Sequence, residues 1–262
     1  MNMNVMDFFT LKDKVAIVTG GSGLYGRQIT TALSQAGAKT YITTRDKSKL
    51  RELEQSFAQD GTKVSALSLD LEYEESILEL RDRVMRDSGR IDVLVNNAVA
   101  RTMTSWNDPL DAFARSMHIN ATGLFAITRV FGDIMAEQGG GSIINIGSIQ
   151  GMVGADATLY KDMGFHGMVP DYFFHKGGML NFTRFVASYY GEKNIRCNCL
   201  SPGGLASQRT PELFVDRYSE RTFLGRMANE TDLMGSIVFL ASDASLYVSG
   251  VNLPVDGGYT AK

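Results

Sequence analysis

Cysteine is scarce: only Cys197 and Cys199 occur in 262 residues, too few for a disulfide framework. Their C-x-C spacing within an expected strand puts both on one face, as core thiols rather than metal ligands. Histidine is equally thin. His118, His166 and His175 lack carboxylate or cysteine companions at ligand spacing, so no metal site is expected. An excess of charge of one sign is missing too. With 26 Lys and Arg against 29 Asp and Glu, the net charge is -3, which leaves no basic surface for nucleic acid or an anionic membrane. No apolar run approaches the roughly 20 residues that span a bilayer. Met1 to Thr10 lack the charged start, apolar stretch and small-residue cleavage site of a secretory signal. Proline numbers five, and no Pro- or Ser-rich linker, internal repeat or low-complexity stretch divides the chain. A cytoplasmic protein with one domain over residues 1–262 is expected.

What is present is an alternation. Short β-rich runs at Val15–Val18, Tyr41–Thr44, Val64–Leu69, Ile91–Val95, Ser142–Ile146, Ile195–Leu200 and Val251–Val255 are separated by helical patterns. Examples are the face formed by Ile29, Ala32, Leu33 and Ala36, closed by Gly37, the charged stretch Glu74 to Asp87, and Leu180 to Tyr190. Strand–helix alternation predicts right-handed crossovers and a single α/β domain of Rossmann type: a doubly wound, seven-stranded parallel sheet with helices on both faces. In such sheets ligands bind beyond the carboxyl ends of the strands.

The loop after the first run reads Thr19-Gly-Gly-Ser-Gly-Leu-Tyr-Gly26. A pyrophosphate needs close backbone approach and a helix N-terminus aimed at it, and Gly21, Gly23 and Gly26 have the G-x-G-x-x-G spacing that provides both. The second run ends in Thr44 and Arg45, without the acid that would accept bonds from a ribose 2′-hydroxyl. An arginine there favours NADP, with NAD possible.

Tyr172 and Lys176 lie four residues apart and share a helix face. A phenol is a poor proton donor and acceptor near neutrality, and an adjacent ammonium favours its ionised form. Chance supplies such a spacing in a chain of this composition, and Tyr189–Lys193 is a second instance. Position separates the two. Tyr189 lies at the far end of its helix, whereas Tyr172 follows the fifth strand and Ser148, whose hydroxyl could donate to a substrate oxygen.

Taken in order, Thr19-Gly20 to Gly26, Asp70-Leu71, Asn96-Asn97-Ala98, Asn120, Ser148, Tyr172-Phe-Phe-His-Lys176, Ile195-Arg-Cys-Asn198, Pro202-Gly203 and Val255-Asp-Gly-Gly258 resemble the short-chain dehydrogenase/reductase family from about Leu11 to Ala261. The resemblance implies a nicotinamide-dependent interconversion of a secondary alcohol and a ketone. Tyr172 would exchange the proton, Ser148 orient the reacting oxygen, Lys176 act on the tyrosine and the nicotinamide ribose, and Asn120 support a water leading to Lys176. Gly20, Ser22, Gly23, Leu24, Tyr25, Gly26, Arg45, Asp70, Leu71, Asn97 and Ala98 would hold the adenosine and phosphate end. Pro202, Gly203, Leu205 and Ser207, with Tyr172 and Lys176, would hold the nicotinamide end. A homotetramer is implied as well. The chain is similar to sugar-acid or polyol dehydrogenases of the gluconate 5-dehydrogenase type. The alternatives are a 3-oxoacyl-carrier-protein reductase, which calls for a basic mouth that Arg101 and Arg129 barely supply, and a non-catalytic dinucleotide sensor. An epimerase or dehydratase would need a larger substrate domain after the sixth strand.

Three departures stand out. Leu24 replaces a glycine of the loop and threatens to narrow the phosphate approach, and Val99 replaces another after Ala98. Ser148 and Tyr172 are 24 positions apart, where the family has about a dozen. Tyr160 falls at the ordinary distance, but Gly164 stands where its lysine should. An insertion of about eleven residues is expected within 151–170, carrying Met152, Tyr160, Lys161, Met163, Phe165, His166 and Met168. It is read either as a substrate-facing lid or wall, or as a surface elaboration. His175, inside the catalytic pair, is expected to be packed or solvent-facing rather than functional.

Overall fold

The computed structural model describes residues 4–163 and 167–261. Seven strands form one parallel sheet in the order β3-β2-β1-β4-β5-β6-β7. They are β1 (Val15–Val18), β2 (Lys39–Thr44), β3 (Val64–Ser68), β4 (Val93–Asn96), β5 (Gly141–Ile146), β6 (Ile195–Pro202) and β7 (Asn252–Val255). The helices are α1 (Leu24–Gln35), α2 (Leu50–Gln59), α3 (Glu74–Ser88), α4 (Leu110–Met117), α5 (Leu124–Gln138), α6 (Pro170–Tyr190), α7 (Glu212–Ser219) and α8 (Met234–Ala241).

Every residue of β1, β4 and β6 is buried, which is why β1 and most of β4 read as apolar runs rather than alternating ones; β6 buries Arg196 and Asn198 by bonding them to the Leu240, Ser242 and Val248 carbonyls. Alternate side chains serve two cores. Ile17, Leu94 and Ile143 face Ile77, Ile127, Phe131 and Val186 from α3, α5 and α6. Ala16, Val18, Val95 and Ile144 face Ile29, Leu33, Ile237 and Leu240 from α1 and α8. The fourth strand starts two residues later than expected. Asp92 instead makes a corner, its carboxylate accepting from the Val15 N–H (2.8 Å) and from Arg90. Leu180–Tyr190 is the second half of α6, which opens on Pro170 in its first turn.

Strand order reverses direction at β1, between β2 and β4, and there the loops after β1 and β4 part to leave a crevice. Thr19, just past β1, ties the two sides together: its Oγ1 accepts from the N–H groups of Asn97 and Ala98, each at 2.9 Å.

Candidate active site

A cleft of about 820 Å³ lies over the carboxyl ends of the strands, within the range of small-molecule and cofactor sites. Among the residues singled out in the sequence, Gly20, Ser22, Gly23, Leu24, Tyr25, Gly26, Arg45, Asp70, Leu71, Asn97, Ala98, Ser148, Tyr172, Lys176, Pro202, Gly203 and Leu205 line it. Asn120 does not; it lines a cavity of about 10 Å³ directly behind, with Lys176 and His175. Ser207 does not either, its hydroxyl paired with Thr210 Oγ1 at 3.0 Å in an exposed turn.

The glycine turn divides its labour. A Cβ on Gly26 would fall 2.3 Å from the Gly20 carbonyl oxygen, so that glycine is required by helix-to-turn packing. A Cβ on Gly23 would meet nothing closer than 3.4 Å; the protein has room there, and the bare backbone leaves a cradle open for a ligand. Gly23 caps α1 without any side-chain cap, so the first-turn N–H groups remain available to an anion. Leu24 is 72% exposed and lines the cleft at the first position of α1. These features fit a dinucleotide pyrophosphate. Two of the expected contact residues also brace the cleft they line: Asn97 Nδ2 donates to the carbonyls of Thr19 and Gly20 (both 2.9 Å), and the Tyr25 hydroxyl donates to the Gly203 carbonyl (2.7 Å). Burial pushes the Tyr25 phenol well above its ordinary value, which keeps it a neutral donor. Arg45 is exposed at the end of β2 and makes no ion pair among the described residues.

At the opposite end, Ser148 terminates β5 and caps a short turn, accepting from the Gln150 N–H at 3.1 Å. That bond uses a lone pair and leaves the hydroxyl proton free to donate. Gly151 brings this turn against α6: a Cβ there would lie 2.6 Å from the Lys176 carbonyl oxygen. Lys176 is 3% exposed and donates through Nζ to the Ile146 carbonyl at 2.5 Å. Burial drives its pKa below the ordinary lysine range, against the opposing pull of Tyr172 and Cys199. Lys176 Nζ lies 5.7 Å from the centroid of the Tyr172 ring, Arg101 stacks on that ring at 4.9 Å, and His175 meets it edge-on at 5.3 Å. The Tyr172 hydroxyl has no hydrogen-bond partner among the described residues and is free for a ligand.

Asn120 sits in a π-helical turn, His118–Gly123, wedged between α4 and α5, a distortion that recurs at functional sites. Its amide pairs twice with Ala100: Oδ1 accepts from the Ala100 N–H and Nδ2 donates to the Ala100 carbonyl, both at 2.8 Å. Sequence reasoning missed two cleft residues of consequence, Phe214 and Tyr218, which reach the cleft together from one face of α7, and it named Arg101 only as a weak basic contribution to the mouth.

Residues 156–161 are tied to α7 and the residues that follow it. Asp156 opens a 3-10 turn, Ala157–Tyr160, and pairs with Arg221 at 2.5 Å; Arg217 donates to the carbonyls of Thr158 and Lys161. Tyr160 is buried, 5.6 Å from the Phe214 ring, and joins Tyr218, Ile149 and Met227 in a small apolar cluster. Tyr160 also lines the cleft, on the side across from the glycine turn. Gly164, Phe165 and His166 of the expected insertion lie outside the described residues.

A family model described as enoyl-(acyl carrier protein) reductase matches residues 22–260. Gluconate 5-dehydrogenase of Gluconobacter oxydans is 31% identical over 98% of this chain and 99% of its own length. The 7alpha-hydroxysteroid dehydrogenase of Bacteroides fragilis is 30% identical over 95% of each chain. The crystal structure of a gluconate 5-dehydrogenase from Burkholderia cenocepacia in complex with NADP and tartrate superposes with a TM-score of 0.87, at 28% identity, over 99% of this chain and 100% of that one. With the fold, the glycine cradle and the Ser148–Tyr172–Lys176 grouping, these likenesses mean that the chain belongs to the short-chain dehydrogenase/reductase family of nicotinamide-dependent oxidoreductases.

Proposed function

We propose that this protein interconverts a secondary alcohol and a ketone on a small polyhydroxy acid, using NADP(H). Two relatives of nearly equal identity carry the names of a sugar-acid enzyme and a steroid enzyme, so the substrate must be read from the cleft. The observation that carries the reading is Arg101. Its guanidinium lies over the Tyr172 ring at 4.9 Å and lines the cleft without a carboxylate partner among the described residues. A guanidinium there suits a substrate carboxylate held beside the reacting carbon. Tartrate, a dicarboxylate, accompanies NADP in the Burkholderia enzyme.

The bound cofactor supplies or accepts the hydride. In the reductive direction the Tyr172 hydroxyl gives its proton to the substrate oxygen, and Ser148 donates a hydrogen bond to that same oxygen; in oxidation the phenol takes the proton back. Lys176, inside its buried shell, holds its Nζ beside the Tyr172 ring and would hold the nicotinamide ribose. Pro202, Gly203 and Leu205 would enclose the nicotinamide end. Arg45, unpaired at the tip of β2, would meet a 2′-phosphate. The described residues of the 151–170 segment, with Tyr160 against Phe214, would supply a substrate-side wall. An acyl-carrier substrate has less support, because Arg129 is paired with Glu74 on the outer face of α5 and adds nothing to the mouth.

Arg101→Leu tests the acid-binding reading. It raises KM for an acid substrate by about 10- to 100-fold, the worth of one charge-assisted contact, and leaves a neutral polyol unaffected; equal losses on both would remove the carboxylate from the account. NADPH supports faster turnover than NADH in the same assay.

We further place the protein in the cytoplasm as a homotetramer. No helix among the described residues is long and apolar enough to cross a membrane, and both cysteines are free and buried. Phe125, Phe185 and Tyr189 are exposed on α5 and α6, as are Leu246, Tyr247 and Val251 beside the edge strand β7. Two separate apolar faces suit a dimer of dimers. Equilibrium sedimentation returns the mass of four chains; a monomer mass would rule that assembly out.

A further inference from the structure

One face of α6 carries a second pair at the spacing of Tyr172 and Lys176. Asp171 and His175 lie one position earlier, one turn apart, at 2% and 5% exposure. Asp171 neither lines the cleft nor takes part in the chemistry described above. An acid in the first turn of a helix is ordinarily explained by the helix dipole, an effect satisfied at the surface. This one is turned inward, to a specific partner.

Asp171 Oδ2 accepts the hydroxyl proton of Ser116 at 2.6 Å. Serine has a single proton to give. Once it is committed to the carboxylate, Ser116 Oγ meets Asn120 only as an acceptor, and Asn120 Nδ2 donates to it at 3.0 Å. The orientation of the Asn120 amide follows: its NH2 group faces Ser116 and the Ala100 carbonyl, and its oxygen is left for the Ala100 N–H. Both backbone polar groups of Ala100 are held by that one amide. Ala98, Val99, Ala100 and Arg101 are consecutive residues of the cleft wall, so what orients Asn120 also sets the wall that carries Arg101 over Tyr172. Without the carboxylate, Ser116 can donate to Asn120, and the reversed amide presents the wrong group to each side of Ala100.

We propose that Asp171 is a positioning residue of the active site, which through Ser116 fixes the orientation of Asn120 and thereby the Ala98–Arg101 wall. The kinetic arm of its test rests on the oxidoreductase reading given above. The exchange arm needs no substrate, so failure of one is distinguishable from failure of the other.

The experiment compares Ser116→Ala, Asp171→Ala and the double variant in the full-length enzyme. Each single change lowers kcat/KM about tenfold, the worth of one hydrogen bond, and the double variant is no worse than the weaker single, because both cut the same chain. Hydrogen-exchange mass spectrometry finds faster exchange in a peptide spanning residues 98–101 and unchanged exchange in β1 and β5. Asp171→Asn, whose amide oxygen can still accept from Ser116, restores both readouts. Should Asp171→Ala fail to fold, Ser116→Ala decides alone. Wild-type kinetics with wild-type exchange at 98–101 in Ser116→Ala overturns the proposal. So do additive losses in the double variant, or a lowered melting temperature with kinetics and exchange at 98–101 unchanged.

Discussion

Replacing Tyr172 by Phe lowers kcat by about 10²- to 10⁴-fold, the usual worth of a positioned general acid, and leaves cofactor affinity and melting temperature close to those of the parent protein. The ring has three neighbours that phenylalanine keeps: Arg101 stacked on its face, His175 at its edge and Lys176 alongside. Only the hydroxyl is lost. Because that hydroxyl bonds nothing in the protein among the described residues, no buried group is orphaned by its removal and the fold has nothing to lose. Steady-state rates with a fluorescence titration of the cofactor separate the two effects. A variant within tenfold of the parent rate would mean that the proton comes from elsewhere, and Tyr160, another of the phenols lining the cleft, would be examined next.

Acid lowers the stability of this protein through one side chain in particular. The His175 ring is held far below its ordinary pKa of 6.5, at about 3, by burial first and then by the charges of Lys176 and Arg101. Neither ring nitrogen has a hydrogen-bond partner among the described residues. The native state therefore keeps a neutral ring at a pH where the unfolded chain already takes up a proton. Stability that is complete above pH 6.5 is lost as the pH falls from there towards 3, by about 1.4 kcal/mol per unit. Between pH 6.5 and 5 the loss amounts to about 2 kcal/mol. Carboxylates held low by their partners, such as Asp156 beside Thr158 and Arg221, act in a more acid window. In His175→Leu, urea unfolding midpoints are nearly constant between pH 6.5 and 5, while the parent midpoint falls. Parallel curves for the two proteins would show that the ring already accepts a proton in the native state.

The sheet was legible because the central strands β1, β4 and β5 are buried and stand out as runs rich in apolar residues; several ends moved, although Leu69 and Val251 still bond to the neighbouring strands at Thr44 and Cys199. Tyr172 was separable from Tyr189 by position along α6, and Tyr189 lies exposed at the other end, stacked on Phe185. Of the residues in the Ser148–Tyr172 excess, Tyr160 packs on Phe214 and lines the cleft. His175, expected to be packed or solvent-facing, is packed, and lines the small cavity behind Lys176. What stayed hidden were contacts between residues far apart in the chain. The Ser116–Asp171 bond spans 55 positions and the Tyr25–Gly203 bond 178; such pairs exist only once α4 lies against α6, or the glycine turn against the loop after β6. Ser207 fits the family pattern by position, but a local turn with Thr210 claims its hydroxyl.

The most direct test follows nicotinamide absorbance on mixing the protein with NADPH, then NADH, and each of three ketones: a keto sugar acid, a neutral keto-polyol and an acyl β-ketone. The predicted result is turnover of the keto sugar acid with NADPH, abolished in Tyr172→Phe and weakened through KM in Arg101→Leu. Turnover of none of the three, or of the acyl β-ketone alone, would contradict it.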